Sequence, residues 1–329
     1  MNIDLKNCVE RYNQENKSAW KGRSEGNDPS YIHEIVTTID IINSSIQNIS
    51  GDIGLIGFAS DEGVRRNSGR PGASKGPKSL RESLGKLPLN RDIKSIIDFG
   101  DINCRDGKLL TSQQALGDIV NLMFSSNLHP IILGGGHEVA YGTYQGIAKA
   151  FPDEQLTIVN FDAHYDLRPL MEGTKGTSGT PFYQIAKDRI ENGLSFEYTC
   201  IGIQRYGNNK HLIKKAKELN VYTIYAEDLF FNSLEYLREI ADNIIANSKN
   251  IYVTVCLDVF SSAIAPGVSA PQSLGIHPWH VIAILRELAK SGKVICLDIA
   301  ELSPLHDINM KTAQLAASIV SDYIHHIKL

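Results

Sequence analysis

Short β-branched runs alternate with longer segments of helical period along this chain, and that alternation restricts the fold more than any other feature. Candidate strands are DIGLIGFA (52–59), IKSIIDFG (93–100), HPIILGG (129–135), QLTIVNFDA (155–163), EYTCIGI (197–203), VYTIYA (221–226), IYVTVCLD (251–258) and KVICLDIA (293–300). Several are apolar on both alternating sets of residues, as a sheet covered on both faces requires. Helical stretches fall near 77–87, 112–127, 139–150, 181–191, 209–219, 233–248, 278–291 and 311–327. Pro77 and Pro278 suit first helical turns, where a missing N–H leaves no bond unmade. The expected architecture is α/β, a mostly parallel, doubly wound sheet of about eight strands with helices on both faces. Residues 51–329 read as one domain. Residues 1–50 are polar and read as an N-terminal extension packed on it, with one helix near 30–45.

Composition removes several classes of function. The 329 residues are 42% hydrophobic and 21% charged, with a net charge of -4, so no basic field points to nucleic acid or an anionic membrane. No apolar run nears the roughly 18 residues of a membrane span. The polar start, MNIDLKNCVERYNQENKSAW, lacks the apolar core of a signal peptide. Five cysteines, odd in number and without a CxxC pair, suggest a reduced, cytoplasmic protein. Cys200, Cys256 and Cys296 lie inside apolar runs and read as buried thiols.

In a doubly wound sheet, ligands bind beyond the carboxyl ends of the strands. The polar groups at those ends are therefore the candidates for function. LGGGHE presents His137, and FDAHYDLR presents Asp162, His164 and Asp166. CLDVF presents Asp258, and LDIAEL presents Glu301. Asp162, His164 and Asp166 stand at i, i+2 and i+4, so an extended backbone directs all three the same way. With His137 and Asp258 they make three carboxylates and two imidazoles, a donor set for divalent cations. No cysteine joins the set on this reading, so it is hard and suits Mn²⁺ at least as well as Zn²⁺. A pair of such ions could activate water for attack on an electrophilic carbon. Each motif alone has a plainer explanation: a tight glycine turn, a solvated loop, or a helix cap.

LGGGHE, FDAHYDLR, LDVFSSAIAPGVSAP and LDIAELSP together resemble the successive signature motifs of the ureohydrolase superfamily, which includes arginase and agmatinase. The resemblance runs from about residue 50 to the C-terminus. It implies an arginase-like three-layer α/β/α fold and a binuclear manganese centre that hydrolyses a carbon–nitrogen bond. It assigns His137 and Asp166 to one ion and His164 to the other, with Asp162 and Asp258 as bridges. It implies a homo-oligomer as well.

Further motifs, WKGRSEGNDPSYIH, DEGVRRNSGRPGASKGPKSLR, SGTPFYQI and IGIQRYGNN, resemble the formimidoylglutamase branch. Arginase-like members carry a proton-transfer histidine where this chain has Gly179, and formimidoylglutamases lack it. The branch implies hydrolysis of N-formimidoyl-L-glutamate to L-glutamate and formamide, an activity of histidine degradation. Asp166 and Glu301 would then be catalytic, with Glu301 facing the cationic amidine. Arg205, Asn209 and Arg168 are candidates for binding the substrate carboxylates. Arg65 and Arg66 are weaker candidates and can instead fix a rim loop. The alternatives are another amidine or guanidine hydrolase, agmatinase- or guanidinobutyrase-like, and a metal-impaired homologue without activity. The last arises because most members carry Asp-x-Asp in the seventh-strand motif, whereas this chain reads Asp258-Val259-Phe260. On that alignment, two dications facing three carboxylates keep one uncompensated charge, and the second site is expected to be weak or empty.

Overall fold

The computed structural model describes residues 8, 10–14, 18–26, 28–42 and 49–329. All eight expected strands are present, with two short additions from the N-terminal segment. They are β1 (Tyr12–Asn13), β2 (Val36–Thr38), β3 (Ile53–Ala59), β4 (Ile96–Asn103) and β5 (His129–Leu133). The chain continues with β6 (Leu156–Phe161), β7 (Glu197–Ile203), β8 (Tyr222–Tyr225), β9 (Asn250–Cys256) and β10 (Val294–Ala300). The order across the sheet is β1-β4-β3-β5-β10-β9-β6-β7-β8, with β2 also on β4. Among the strands of the described residues, only β1 runs antiparallel to its neighbour.

The expected helix near 30–45 is not formed. Ile32–Ile35 make one 3-10 turn, and Val36–Thr38 then pair in parallel with Ile96–Asp98. The free edge of β4 offers unpaired backbone groups, and β-branched Val-Thr-Thr suits a strand better than a helix. Residues 43–45 of that expected helix lie outside the described residues. The N-terminal segment is also held by side chains. Trp20 Nε1 donates to Asp98 Oδ2 at 2.7 Å, beside a fully buried pairing of Arg81 with Asp98 and Asp101.

The helices are α1 (Glu62–Arg66), α2 (Gly76–Leu84), α3 (Leu109–Ser125), α4 (Val139–Ala150) and α5 (Pro181–Glu191). They continue with α6 (Lys210–Glu218), α7 (Ala226–Phe231), α8 (Leu234–Asn247), α9 (Pro278–Lys290) and α10 (Lys311–His326). Strand alternation sends Leu55, Ile131, Val253 and Leu297 into a core closed by α2, α8, α9 and α10. Ile56, Ile132, Ile158 and Cys296 face the opposite core, under α3, α4, α5 and α6. No helix among the described residues is long and apolar enough to cross a membrane.

The chain runs from β5 to β6 across a gap two strands wide, which β9 and β10 later fill. The four central strands β5, β10, β9 and β6 are therefore neighbours, and their carboxyl ends open on one crevice.

Candidate metal centre

Each wall of the crevice is shaped by its own strand exit. After β5 the chain turns through Gly134-Gly135-Gly136. A Cβ on Gly135 would lie 1.9 Å from the Ser60 carbonyl oxygen, so only glycine lets the turn pass here. Gly135 O accepts from the Glu301 N–H at 2.7 Å, and the His137 N–H donates to Glu301 Oε1 at 2.8 Å. The exits of β5 and β10 are thus laced together. Asp166 (φ 48) and Glu301 (φ 72) both take the left-handed conformation, which is strained for residues of this kind.

The donors meet in two groups that share one carboxylate. Asp162 Oδ2 and Asp166 Oδ2 each lie 3.0 Å from His137 Nδ1. Asp162 Oδ1 lies 3.5 Å from His164 Nδ1, and Asp258 Oδ2 lies 3.1 Å from it. One oxygen of Asp162 therefore serves each imidazole. Asn160 Nδ2 donates to Oδ2 at 3.1 Å and the His164 N–H donates to Oδ1 at 2.7 Å, which fixes the carboxylate plane. Behind His137, Nε2 contacts Thr254 Oγ1 at 3.0 Å, leaving Nδ1 turned to the carboxylates. Deeper still, Tyr252 and Thr143 donate to the buried Asp298.

These groups by themselves do not balance. His137 Nδ1 and Asp258 Oδ1 are buried without a hydrogen-bond partner, although carboxylate and imidazole atoms crowd around them. Burial and the Asp162 charge push the Asp166 carboxyl up to about 6. Burial and the same charge raise Asp258. Burial, helped by Asp258 and opposed by its Ser269 and His137 hydrogen bonds, brings Glu301 up to about 7. Both imidazoles are raised despite burial, because carboxylates surround them. A buried site this acidic, with unmatched lone pairs converging, fits divalent cations.

The surrounding cavity measures ≈ 280 Å³. Asn67, Arg70 and Ser269 belong to its lining, as does Arg168. Arg168 has no ion-pair partner among the described residues, whereas Arg70 Nη2 donates to the Val268 carbonyl at 2.6 Å. A Cβ on Gly179 would meet Arg168 Cδ at 2.9 Å, so glycine here makes room for the arginine stem. Arg65 pairs with Asp61, and Arg66 with Glu62 and the Gly176 and Gly107 carbonyls, so both fix the rim loop. Arg205 and Asn209 are not brought to the cavity. Arg205 stacks 3.7 Å above the Tyr225 ring, pairs with Glu227 and lines a separate groove. Asn209 caps α6, accepting from the His211 and Leu212 N–H groups at 3.0 and 3.1 Å.

The Asp258 motif is shaped by where its strand ends. The Phe260 ring is fully buried in an apolar core, and its backbone bridges to Ile276. The strand ends at Cys256 and a 3-10 turn covers Leu257–Val259, so two-residue alternation fails beyond Asp258. The residue that shares the cavity with Asp258 is Cys256, two places earlier. Its sulfur, one His137 nitrogen and one Asp162 oxygen all lie within 4.8 Å of one another. A cysteine therefore stands among the atoms that could hold a cation, and Asp258 is grouped with His164 and Asp162. Burial, then the Asp162 and Asp258 carboxylates, push this thiol up, an effect that a bound cation reverses. Phe260→Asp should accordingly gain no metal. It should lose about 3–5 kcal/mol of stability by placing a carboxylate in an apolar core, read as a lower urea midpoint.

With this geometry in view, known proteins sharpen the assignment. A profile described as the Arginase family matches residues 51–325. The chain belongs to the arginase family. A formimidoylglutamase of Legionella pneumophila (strain Paris) is 42% identical over 96% of this chain and 98% of its own. One from Clostridium tetani is 39% identical over 95% of each. Among solved structures, Trypanosoma cruzi formiminoglutamase with Mn²⁺ superposes with a TM-score of 0.78 at 22% identity, covering 91% of this chain and 98% of that one. Bacillus subtilis formimidoylglutamase gives 0.80 at 22% identity, covering 92% and 94%. These likenesses establish the arginase-like α/β fold, to which β1 and β2 add two strands beyond the eight expected.

Proposed function

We propose that this arginase-family chain hydrolyses N-formimidoyl-L-glutamate to L-glutamate and formamide at a centre of two divalent ions, with manganese in at least one position. The observation that carries the reading is the pair of ligand groups hinged on Asp162. The formimidoylglutamases matched along nearly the whole chain support the choice of substrate. When bound, the ions supply Lewis acidity and bring the pKa of water toward neutrality.

The chain's own residues do the rest. Glu301, held by Ser269 and the His137 N–H, faces the cationic amidine and orients its carbon. Asp166 would be a ligand through Oδ2 and hold a proton on its other carboxylate oxygen. Arg168 is free to receive a substrate carboxylate at the mouth. Arg168→Ala should raise KM about 10-fold or more, consistent with loss of a charged hydrogen bond of ~1.5–3 kcal/mol. Metal content should not change.

A substrate panel with manganese tests the whole reading: formamide released from formimidoylglutamate supports it. Urea released from agmatine or guanidinobutyrate, without formamide, would favour the other amidine hydrolases. Bound metal without release of either product would favour the metal-impaired alternative.

The chain is also read as a homo-oligomer. Tyr206, Phe230, Phe231 and Leu274 line one groove, with Tyr206 93% and Phe231 87% exposed. Such a contiguous apolar surface suits a subunit contact. Light scattering of the purified protein checks this, and a monomer at micromolar concentration overturns it.

A further inference from the structure

We propose that Cys256 is itself a metal ligand. Its thiolate makes the two ion positions chemically unequal: a softer ion, of the zinc class, on the His137 side, and a hard, manganese-class ion on the His164 side. This rests on the metal-dependent reading above and refines it.

Position comes first. Cys256 is the last residue of β9, and two-residue alternation turns it to the same side as Thr254, the partner of His137. The thiol is 1% exposed yet belongs to neither apolar core. The other buried cysteines are accounted for differently. Cys8 and Cys296 pack in a core, and Cys200 contacts Asn160 Nδ2 and the His164 carbonyl. Cys256 instead lines the acidic cavity, its sulfur grouped with a His137 nitrogen and an Asp162 oxygen.

A second, independent observation points to a ligand. His137 Nδ1 and Asp258 Oδ1, both buried, converge on this cavity without hydrogen-bond partners. An ion on the His137 side would meet His137, Asp162 and Cys256, a mixed N, O and S set, with Asp166 Oδ2 3.0 Å from His137 Nδ1. An ion on the other side would meet His164 Nδ1, Asp162 Oδ1 and Asp258 Oδ2, with no sulfur.

Charge also closes. Asp162, Asp166 and Asp258 bring three negative charges against two dications. Cys256 brings the fourth on coordination, when its S–H proton leaves to solvent. Thiolate favours zinc-class ions over manganese, whereas carboxylate with imidazole accepts manganese readily.

Cobalt(II) substitution of the full chain reads sulfur coordination directly. With two cobalt ions bound, a sulfur-to-cobalt charge-transfer band is expected in the near ultraviolet. It should vanish in Cys256→Ser and Cys256→Asp, with circular dichroism checking that each variant folds. After loading from equal zinc and manganese, the zinc-to-manganese ratio should fall by about 10-fold from wild type to Cys256→Asp. Two bound cobalt ions without the band in the wild type would overturn the cysteine assignment and leave the metal reading standing. An unchanged zinc-to-manganese ratio in folded Cys256→Asp would overturn the claim of unequal sites. No bound metal in the wild type would overturn both readings together.

Discussion

Asp162→Asn should lose both ions, not one. Asp162 is the only residue common to the two ligand groups, and its two oxygens serve different imidazoles. The amide that replaces it carries no charge and presents one oxygen, so one half loses its shared donor outright and the other keeps a weaker one. Changes merely adjacent to a metal ligand cost about 10–100-fold in affinity, so loss of a shared ligand should exceed about 100-fold at each position. Elemental analysis should fall from two ions per chain toward none, and formamide release should fall by more than about 100-fold. A physical readout accompanies this. An ion at 100 times its Kd stabilises the folded state by about 2.7 kcal/mol. The wild type should therefore melt higher with added manganese and lower with a chelator, and the variant should respond to neither. A variant that still binds two ions would show that the halves do not depend on their common carboxylate.

Glu301→Gln should have the opposite character, with metal retained and catalysis lost. Glu301 is 2% exposed and accepts hydrogen bonds from the His137 N–H and the Ser269 hydroxyl. Glutamine matches its shape, can accept from His137 through its amide oxygen and can donate to Ser269. What disappears is the negative charge opposite the amidine. Preorganised charge of this kind is typically worth 10²–10³-fold in rate, or about 2.7–4 kcal/mol. A fall of that size in kcat/KM is expected, with the metal content and urea midpoint close to wild type. If KM alone rose and kcat held, Glu301 would be a binding group without a share in the transition state.

Most of the architecture is legible in local pattern, and the failures have local causes. The eight strands and eight long helices stand where β-branched runs and helical period place them, because each buries an apolar face of its own. Ile32, Ile35 and Val36 have helical spacing, so local pattern places residues 36–38 in a helix. What decides them is the distant edge of β4, which no window of local sequence contains. Asn209 carried a visible signal, an asparagine directly before a helical run, and the cap it makes is the ordinary use of that residue.

At the site, the motifs at the strand ends identify the residues that gather around the cavity, because parallel strands deliver their exits to one edge. Direction was harder to read. Counting two residues forward from Asp258 reaches Phe260, but the strand has already become a 3-10 turn. Counting two residues back, within the strand, reaches Cys256. The relevant signal was the place where extended structure stops. Arg168 lies beside the metal motif and could be found there, whereas Arg70 enters the cavity only through the folding of a long loop.

The late insertion of β9 and β10 into the middle of the sheet has a consequence for biogenesis. His137, Asp162 and His164 are all synthesised before either strand exists, yet a gap two strands wide separates β5 from β6 until both arrive. A nascent or truncated chain therefore holds His137 on a wall too far from Asp162, His164 and Asp166 to share an ion with them. Contacts so distant in sequence form slowly. Metal uptake then works as a seal on completion, rewarding only chains whose C-terminal third has threaded into the centre of the sheet.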